Sequence, residues 1–321
     1  MSSQHSPDIL DGARAVVLRL GSMKAGESVC IVSDDETREV GNLLAAMATE
    51  AGGDVKHIVV APLPAHGTEP AAEVAAAMSS SRLCIGVTGK SMAHTKARLD
   101  VCAKGGRYLS LPEYSLEMLA HPALRVDYKG ISARVREVTN KLTAAKRVRV
   151  VAPGGTDVTL DVTDRIGNFC PGYVDDTNAL GSPPDIECNV SPVEDGSNGK
   201  VVVDGSIAFP GFGLMPTPVT LDVRQGVIRD MVGPREILDA LEKLFAPHGE
   251  KARVLAEFGI GFNPKAELSG NMLMDEGCHG TFHFGFGSNA TVGGKNRVPF
   301  HLDFIFRANQ FFADDELIRI S

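Results

Sequence analysis

Apolar and polar positions follow two different rhythms along this chain. In the first half, residues 7–20 (PDILDGARAVVLRL) place apolar side chains at helical spacing, and ESVCIVSDD then forms a short apolar run ending in acidic residues, the pattern of a buried strand. TREVGNLLAAMATEAGG predicts a helix with Thr37 as N-cap and Gly52 as its stop. DVKHIVVAP reads as the next strand, EPAAEVAAAMSSS as a helix, RLCIGVTG as a strand and MAHTKARLDVCAKGG as a helix, before GRYLSLPEY and a helix from Ser115. Strands separated by helices of this length imply βαβ units and a parallel sheet. The fold class is therefore α/β, with an N-terminal open parallel α/β domain over residues 1–148.

From about Val148 the rhythm changes to period two. VRVVAPGGTDVTLDVTDR predicts a β-hairpin around Gly154 and Gly155, and GKVVVDGSIAF, PVTLDVRQGVIRDMVG and VPFHLDFIF add further alternating strands with Gly-containing turns. Helical spacing returns in PREILDALEKLFAPHG. There is no repeat of fixed period and no low-complexity tract. Residues 149–321 are expected to form a second, β-rich α+β domain that binds metal, for the reasons below.

Composition narrows the partners more than the fold. A formal net charge of −8 argues against non-specific nucleic-acid binding, and with no Trp and 6% aromatic residues a stacking platform for single strands is not expected. No apolar run is long enough for a membrane helix, and MSSQHSPDIL lacks the basic and apolar regions of a signal peptide. Six cysteines are scattered without a CxxC pair, and Cys30 and Cys84 lie in apolar runs; this pattern favours free thiols and a cytoplasmic setting.

The candidate chemistry is concentrated in GTFHFGFGSNATVGGKNRVPFHLDF, residues 280–304. His301 and Asp303 stand at i and i+2, so on a strand they point to the same side. His283 lies upstream across a stretch whose length suits a loop between adjacent strands, which would bring its imidazole beside the pair. Two imidazoles and a carboxylate make a three-ligand set with open positions, as used by zinc or manganese hydrolases and by non-haem iron oxygenases. The plainer reading is a polar face of a half-solvated sheet. Glu257 interrupts the apolar run VLAEFGIGF, where a buried charge requires a metal or a Lys/Arg partner. Glu194 sits in turn-rich CNVSPVEDGSNG, by default an exposed loop position, and Glu276 and His279 precede His283 closely, orienting it or simply facing solvent. In the first domain, His94, Thr95 and Arg98 follow the strand RLCIGVTG, at the end of a parallel sheet where ligands gather; an ordinary helix start is the alternative. VTGKS lacks P-loop spacing, no GxGxxG follows a first strand, and there is no GxSxG elbow, so nucleotide and serine-hydrolase chemistry are not supported.

LAEFGIGFNP, DEGCHGTFHFGFG, the glycine pair at 293–294 and HLDF at 301–304 together resemble the C-terminal metal-site region of the aminopeptidase T family of metallo-aminopeptidases, and of a related group that includes 2,5-dihydroxypyridine 5,6-dioxygenase. GKSMAHTKARLDVCAKGGRYLSLPEYSLEML resembles their N-terminal domain, so the resemblance spans most of the chain. It implies Glu257, His283, His301 and Asp303 as metal ligands. CNVSPVEDG occupies the place of an N-x-P-x-G-E segment, which implies Glu194 as a further metal carboxylate, although Ser191 and Val193 stand where Pro and Gly are expected. The tyrosine that the peptidases carry after the first histidine is replaced by Ala290. In the dioxygenase-like members a histidine stands where this chain has Glu257, and a non-histidine where it has His283.

Two enzymatic readings follow. The first is an aminopeptidase-like hydrolase acting on a small-molecule or short-peptide substrate, with one or two zinc, manganese or cobalt ions activating water. Glu194 or Glu276 would be the base, with His94 and Arg98 contacting substrate. The second is a mononuclear iron(II) dioxygenase built on His283, His301 and Asp303 that opens a hydroxylated heteroaromatic ring. A metal-binding protein without catalysis is a third. The resemblance also implies a homo-oligomer.

Overall fold

The structure, a computed structural model, describes residues 5–209 and 211–320. It divides into two compact units, the first made of the chain through Tyr128 together with Gly172–Pro184, the second of Lys129–Pro171 and the chain from Asp185 onward.

The first unit is the expected parallel α/β structure. Its five-stranded sheet runs in the order Asp54–Val60, Ser28–Asp34, Leu83–Val87, Arg107–Ser110, Leu180–Gly181, every pairing parallel. Continuous apolar runs suit strands covered on both faces, and Cys30, Ile31, Val32, Cys84 and Ile85 are all buried. The helix Pro7–Arg14 starts on Ser6, whose hydroxyl accepts from the Ile9 amide at 3.4 Å, and continues as a π-helical turn over Ala15–Leu20. Arg38–Glu50 stops just before Gly52, which takes φ +84°.

The boundary expected at 148 is corrected to Tyr128, with a return excursion. Periodicity marks Tyr128–Ala144 as a helix but does not say which sheet receives its apolar stripe. That helix packs with the second unit: Lys141 pairs with Glu316 at 2.6 Å, and the Arg136 guanidinium lies 3.4 Å from the Phe169 ring centre. Leu180–Gly181 instead joins the first sheet, aligned with Tyr108 and Leu109. So short a strand carries no periodic signal of its own.

The second unit holds two seven-stranded sheets. One contains the expected hairpin, Arg147–Val151 against Asp157–Asp161, turning at Gly155 with φ +106°. The other runs Gly213–Leu214, Ser206–Ile207, His301–Arg307, Thr281–Gly287, Leu255–Gly261, Glu187–Val190, Asn168–Cys170, all antiparallel.

Strict period-two alternation sorts this second sheet into two unlike faces. One carries Phe258, Phe282, Phe284, Phe286, Phe304 and Phe306, all fully buried. Phe258 meets Phe282 edge-on at 5.5 Å, Phe284 stacks on Phe306 at 5.2 Å, and Phe311 from the other sheet reaches Phe258 at 5.7 Å. Each ring removed from water stabilises the fold by roughly 1.5–3 kcal/mol. With that face anchored as core, register forces residues 187, 189, 257, 283, 301 and 303 onto the other. Among the described residues no helix is long and apolar enough to cross a membrane.

Candidate metal centre

The polar face is cleared by glycine. Gly285 lies opposite both Glu257 and Asp303 on the neighbouring strands, Gly259 opposite His283 and Asn189, Gly261 opposite Glu187 and Gly287 opposite His301. A Cβ on Gly285 would fall 2.5 Å from His301 Nε2 and 2.9 Å from Asp303 Oδ1, and one on Gly259 would overlap the His283 ring. These glycines make room for a cluster of ligating side chains at a cost in strand propensity that packing alone does not explain.

Two groups of potential ligands result. Glu257, His301 and Asp303 offer one donor atom each, all within 4.8 Å of one another, and Glu187, Glu257 and His283 do the same. Glu257 belongs to both. His301 Nε2 stands 3.2 Å from Asp303 Oδ1 and 3.5 Å from Glu257 Oε2, while His283 Nε2 stands 3.4 Å from Glu187 Oε2. The Nδ1–H of His301 donates to the Ser288 carbonyl at 2.8 Å, which leaves Nε2 as the nitrogen turned to the carboxylates. The inner group is sealed, with the His283 side chain 2% exposed and that of Glu187 9%, whereas the His301 side chain is 32% exposed and opens the outer group to solvent.

Charge balance makes the cluster cation-seeking. Among the described residues, Asp185, Glu187, Glu257, Glu276 and Asp303 share the space with two imidazoles, those of His283 and His301. Burial, reinforced by Glu187 and Asp303 against the opposing pull of His301, pushes Glu257 up to about 8. Burial alone would lower His301, but Asp303 and Glu257 raise it to about 10. Asp303 would be raised by burial, yet His301 beside it holds it down at about 2. Burial and the surrounding carboxylates push Asp185 and Glu276 well above the usual range. Glu187 Oε2, Asp185 Oδ1 and His283 Nδ1 are buried with no hydrogen-bond partner among the described residues. Orphaned buried oxygens, a glycine-lined space and a surplus of carboxylates fit a divalent metal ion.

The structure thus brings Glu257, His283, His301 and Asp303 together, but not in the triad expected for the iron reading. His283 stands with Glu187, and Glu257 takes its place beside His301 and Asp303. Glu276 ends the short helix Met272–Glu276, half-buried, and its carboxyl is among the groups that lower Asp303.

Glu194 is not brought to either group. Both its oxygens are taken: Oε1 accepts from Asn289 Nδ2 at 3.0 Å and the Lys295 amide at 2.6 Å, and Oε2 pairs with Arg165 at 2.7 Å. Its assignment as base or metal carboxylate is corrected accordingly. His94, in the first unit, is exposed and in neither group, and the Arg98 guanidinium there is bonded to the Ala93 carbonyl. Sequence reading missed Glu187 and Asp185. A signal was present, since Asp185, Glu187 and Asn189 alternate with Ile186, Cys188 and Val190, the pattern of a strand with one polar face.

Comparison with known proteins agrees with this architecture. The sequence profile of the family described as 2,5-dihydroxypyridine 5,6-dioxygenase matches residues 11–320. The 2,5-dihydroxypyridine 5,6-dioxygenase of Pseudomonas putida (strain KT2440) is 26% identical over 197 residues, 58% of this chain and 56% of that enzyme's length. The solved structure of 2,5-dihydroxypyridine dioxygenase from Pseudomonas putida KT2440 superposes with a TM-score of 0.81 at 21% identity, covering 97% of this chain and 95% of that one. Wild-type AmpT from Thermus thermophilus shares the fold with a TM-score of 0.70 at 14% identity, covering 97% of each chain. The chain belongs to the 2,5-dihydroxypyridine 5,6-dioxygenase family, on an α/β fold shared with aminopeptidase T.

Proposed function

We propose that this protein is a metal-dependent dioxygenase that opens a hydroxylated N-heteroaromatic ring, using one ferrous ion held by Glu257, His301 and Asp303. The observation that carries the reading is the outer ligand group: three donors within 4.8 Å on a glycine-cleared sheet face, with His301 still open to solvent. Three protein ligands on one side leave positions free for a chelating substrate and for oxygen. Bound there, ferrous iron supplies the one-electron chemistry that lets oxygen react with an electron-rich ring.

The remaining work falls to side chains. The Ser288 carbonyl fixes the His301 tautomer. Asp303 is ionised across the neutral range, so it counters the charge of the ion without first losing a proton. Glu276, its carboxyl raised by burial and by Asp303, would exchange a proton with a substrate hydroxyl.

An oxygen electrode tests the proposal. Protein loaded anaerobically with ferrous iron is expected to consume one O2 for each 2,5-dihydroxypyridine ring lost, with both oxygen atoms in the product. No uptake with iron, beside release of an amine from an aminoacyl amide with zinc, manganese or cobalt, would overturn it.

That second outcome is the alternative reading, and one observation favours it. A glutamate stands where the resemblance to dioxygenases expects histidine, and Glu257 is shared with an inner group completed by Glu187 and His283. Two ions bridged by Glu257 would suit activation of water for hydrolysis.

A further inference from the structure

The connection between the two strands that carry the histidines, residues 288–300, is held by side chains from elsewhere in the second unit. Glu194 ties Asn289 and the Lys295 amide, and it anchors Arg165, whose Nη1 donates to the Gly293 carbonyl at 2.8 Å. Asn289 is fully buried, and its Oδ1 receives the Asn296 amide at 2.7 Å. Asn296 in turn donates through Nδ2 to the Gly287 carbonyl at 2.7 Å. Asn289, Gly293 and Lys295 are therefore tied to one carboxylate and its partner Arg165, whose side chain is 9% exposed.

Both ends of this clamp lead to the metal centre. Ser288, next to Asn289, supplies the carbonyl that orients His301, at 2.8 Å from Nδ1. At the far side, Asn168 Nδ2 donates to the Val292 carbonyl at 3.2 Å and to Asn189 Oδ1 at 2.7 Å. Asn189 Nδ2 then donates to Glu187 Oε1 at 2.8 Å, which leaves Oε2 turned to His283. One hydrogen-bonded path thus joins Glu194 to a ligand of the outer group, and a second joins the same connection to a ligand of the inner one.

We propose that Glu194 and Arg165 are positioning residues for the metal centre, acting through residues 288–300 on His301 and through Asn168 and Asn189 on Glu187. This inference rests on the metal reading given above. It assigns to Glu194 a role other than the direct ligation that the sequence resemblance implied. Glutamine at 194 keeps the shape and can still accept from Asn289 and Lys295. It loses the charge that holds Arg165, so the clamp loosens without leaving a cavity.

Cobalt(II) titration of metal-free protein tests this, read by affinity and by the visible ligand-field bands. Glu194→Gln is expected to keep the stoichiometry, weaken binding about tenfold, the lower end of the loss seen when a ligand's orienting partner is removed, and shift the bands. Asn168→Ala, which breaks only the link to Asn189 and Val292, is expected to act in the same direction. Val150→Ala, in the core of the other sheet, serves as the control, lowering the melting temperature without moving the bands. Wild-type affinity and spectrum in Glu194→Gln and Asn168→Ala would overturn the proposal, as would an equal band shift in Val150→Ala. Loss of a whole cobalt equivalent in Glu194→Gln would overturn it in favour of direct ligation. If wild-type protein takes up no cobalt, the metal reading itself falls, and the positioning role with it.

Discussion

Glu257 stands where the competing demands of folding and chemistry meet most sharply. It is buried beside Glu187 and Asp303, with a carboxyl pushed up to about 8, an arrangement that costs the folded chain whenever the group is ionised without a cation. Glu257→Gln keeps the shape and removes the charge. The metal-free variant is expected to be more stable than wild type at pH 8, where ionised Glu257 is costly, while losing metal binding in the outer group. Paired thermal melts with and without manganese check this; a variant that is less stable metal-free and still gains from metal would show that Glu257 is structural. At this scale His283, His301, Asp303 and Glu257 were legible in the sequence because chemistry-bearing residues interrupt apolar strands there. Glu187 was not, because its strand covers only Glu187–Val190, too short for alternation to stand out beside the turn-rich segment that follows. Glu194 resembled a metal carboxylate by position, and only the fold reveals Arg165, Asn289 and Lys295 converging on it.

The strands explain why the site can exist at all. Thr281–Gly287 carries Phe on one face and Thr, His or Gly on the other, so the same seven residues serve a packed core and a cavity. Gly285→Ala is expected to displace His301 and Asp303, lowering metal affinity by tenfold or more and destabilising the fold by roughly 1–3 kcal/mol, the usual range for overpacking. Metal titration of the folded variant checks it, and unchanged affinity would mean that the ligands do not occupy this face as described. Alternation and turn glycines made these strands and their pairing readable from sequence. The fate of Tyr128–Ala144 was not, because an amphipathic helix announces that one face is buried without naming the partner.

In the molecule as a whole, metal, protons and stability are linked. Folding raises Glu257 from 4.5 to about 8 and His301 from 6.5 to about 10. A carboxyl with a raised pKa costs stability increasingly above 4.5, until the penalty is complete near 8. An imidazole with a raised pKa contributes stability that is fully present below 6.5 and lost as pH rises towards 10. Both effects weaken the metal-free protein as pH rises. Over the same range fewer protons remain for a metal to displace, so its binding strengthens. The gain in melting temperature from a fixed excess of manganese is therefore expected to grow from pH 6 to pH 8, and a gain independent of pH would contradict the assignment of these two groups as ligands.

Anomalous diffraction at the iron edge, from crystals grown and loaded with ferrous iron in the absence of oxygen, bears most directly on the centre itself. One iron peak is expected, about 2.0–2.2 Å from donor atoms of Glu257, His301 and Asp303, with the inner group of Glu187 and His283 free of iron. No peak on the glycine-cleared face would contradict the site. Two peaks roughly 3.5–4 Å apart and sharing Glu257 would contradict the mononuclear dioxygenase and favour the hydrolase.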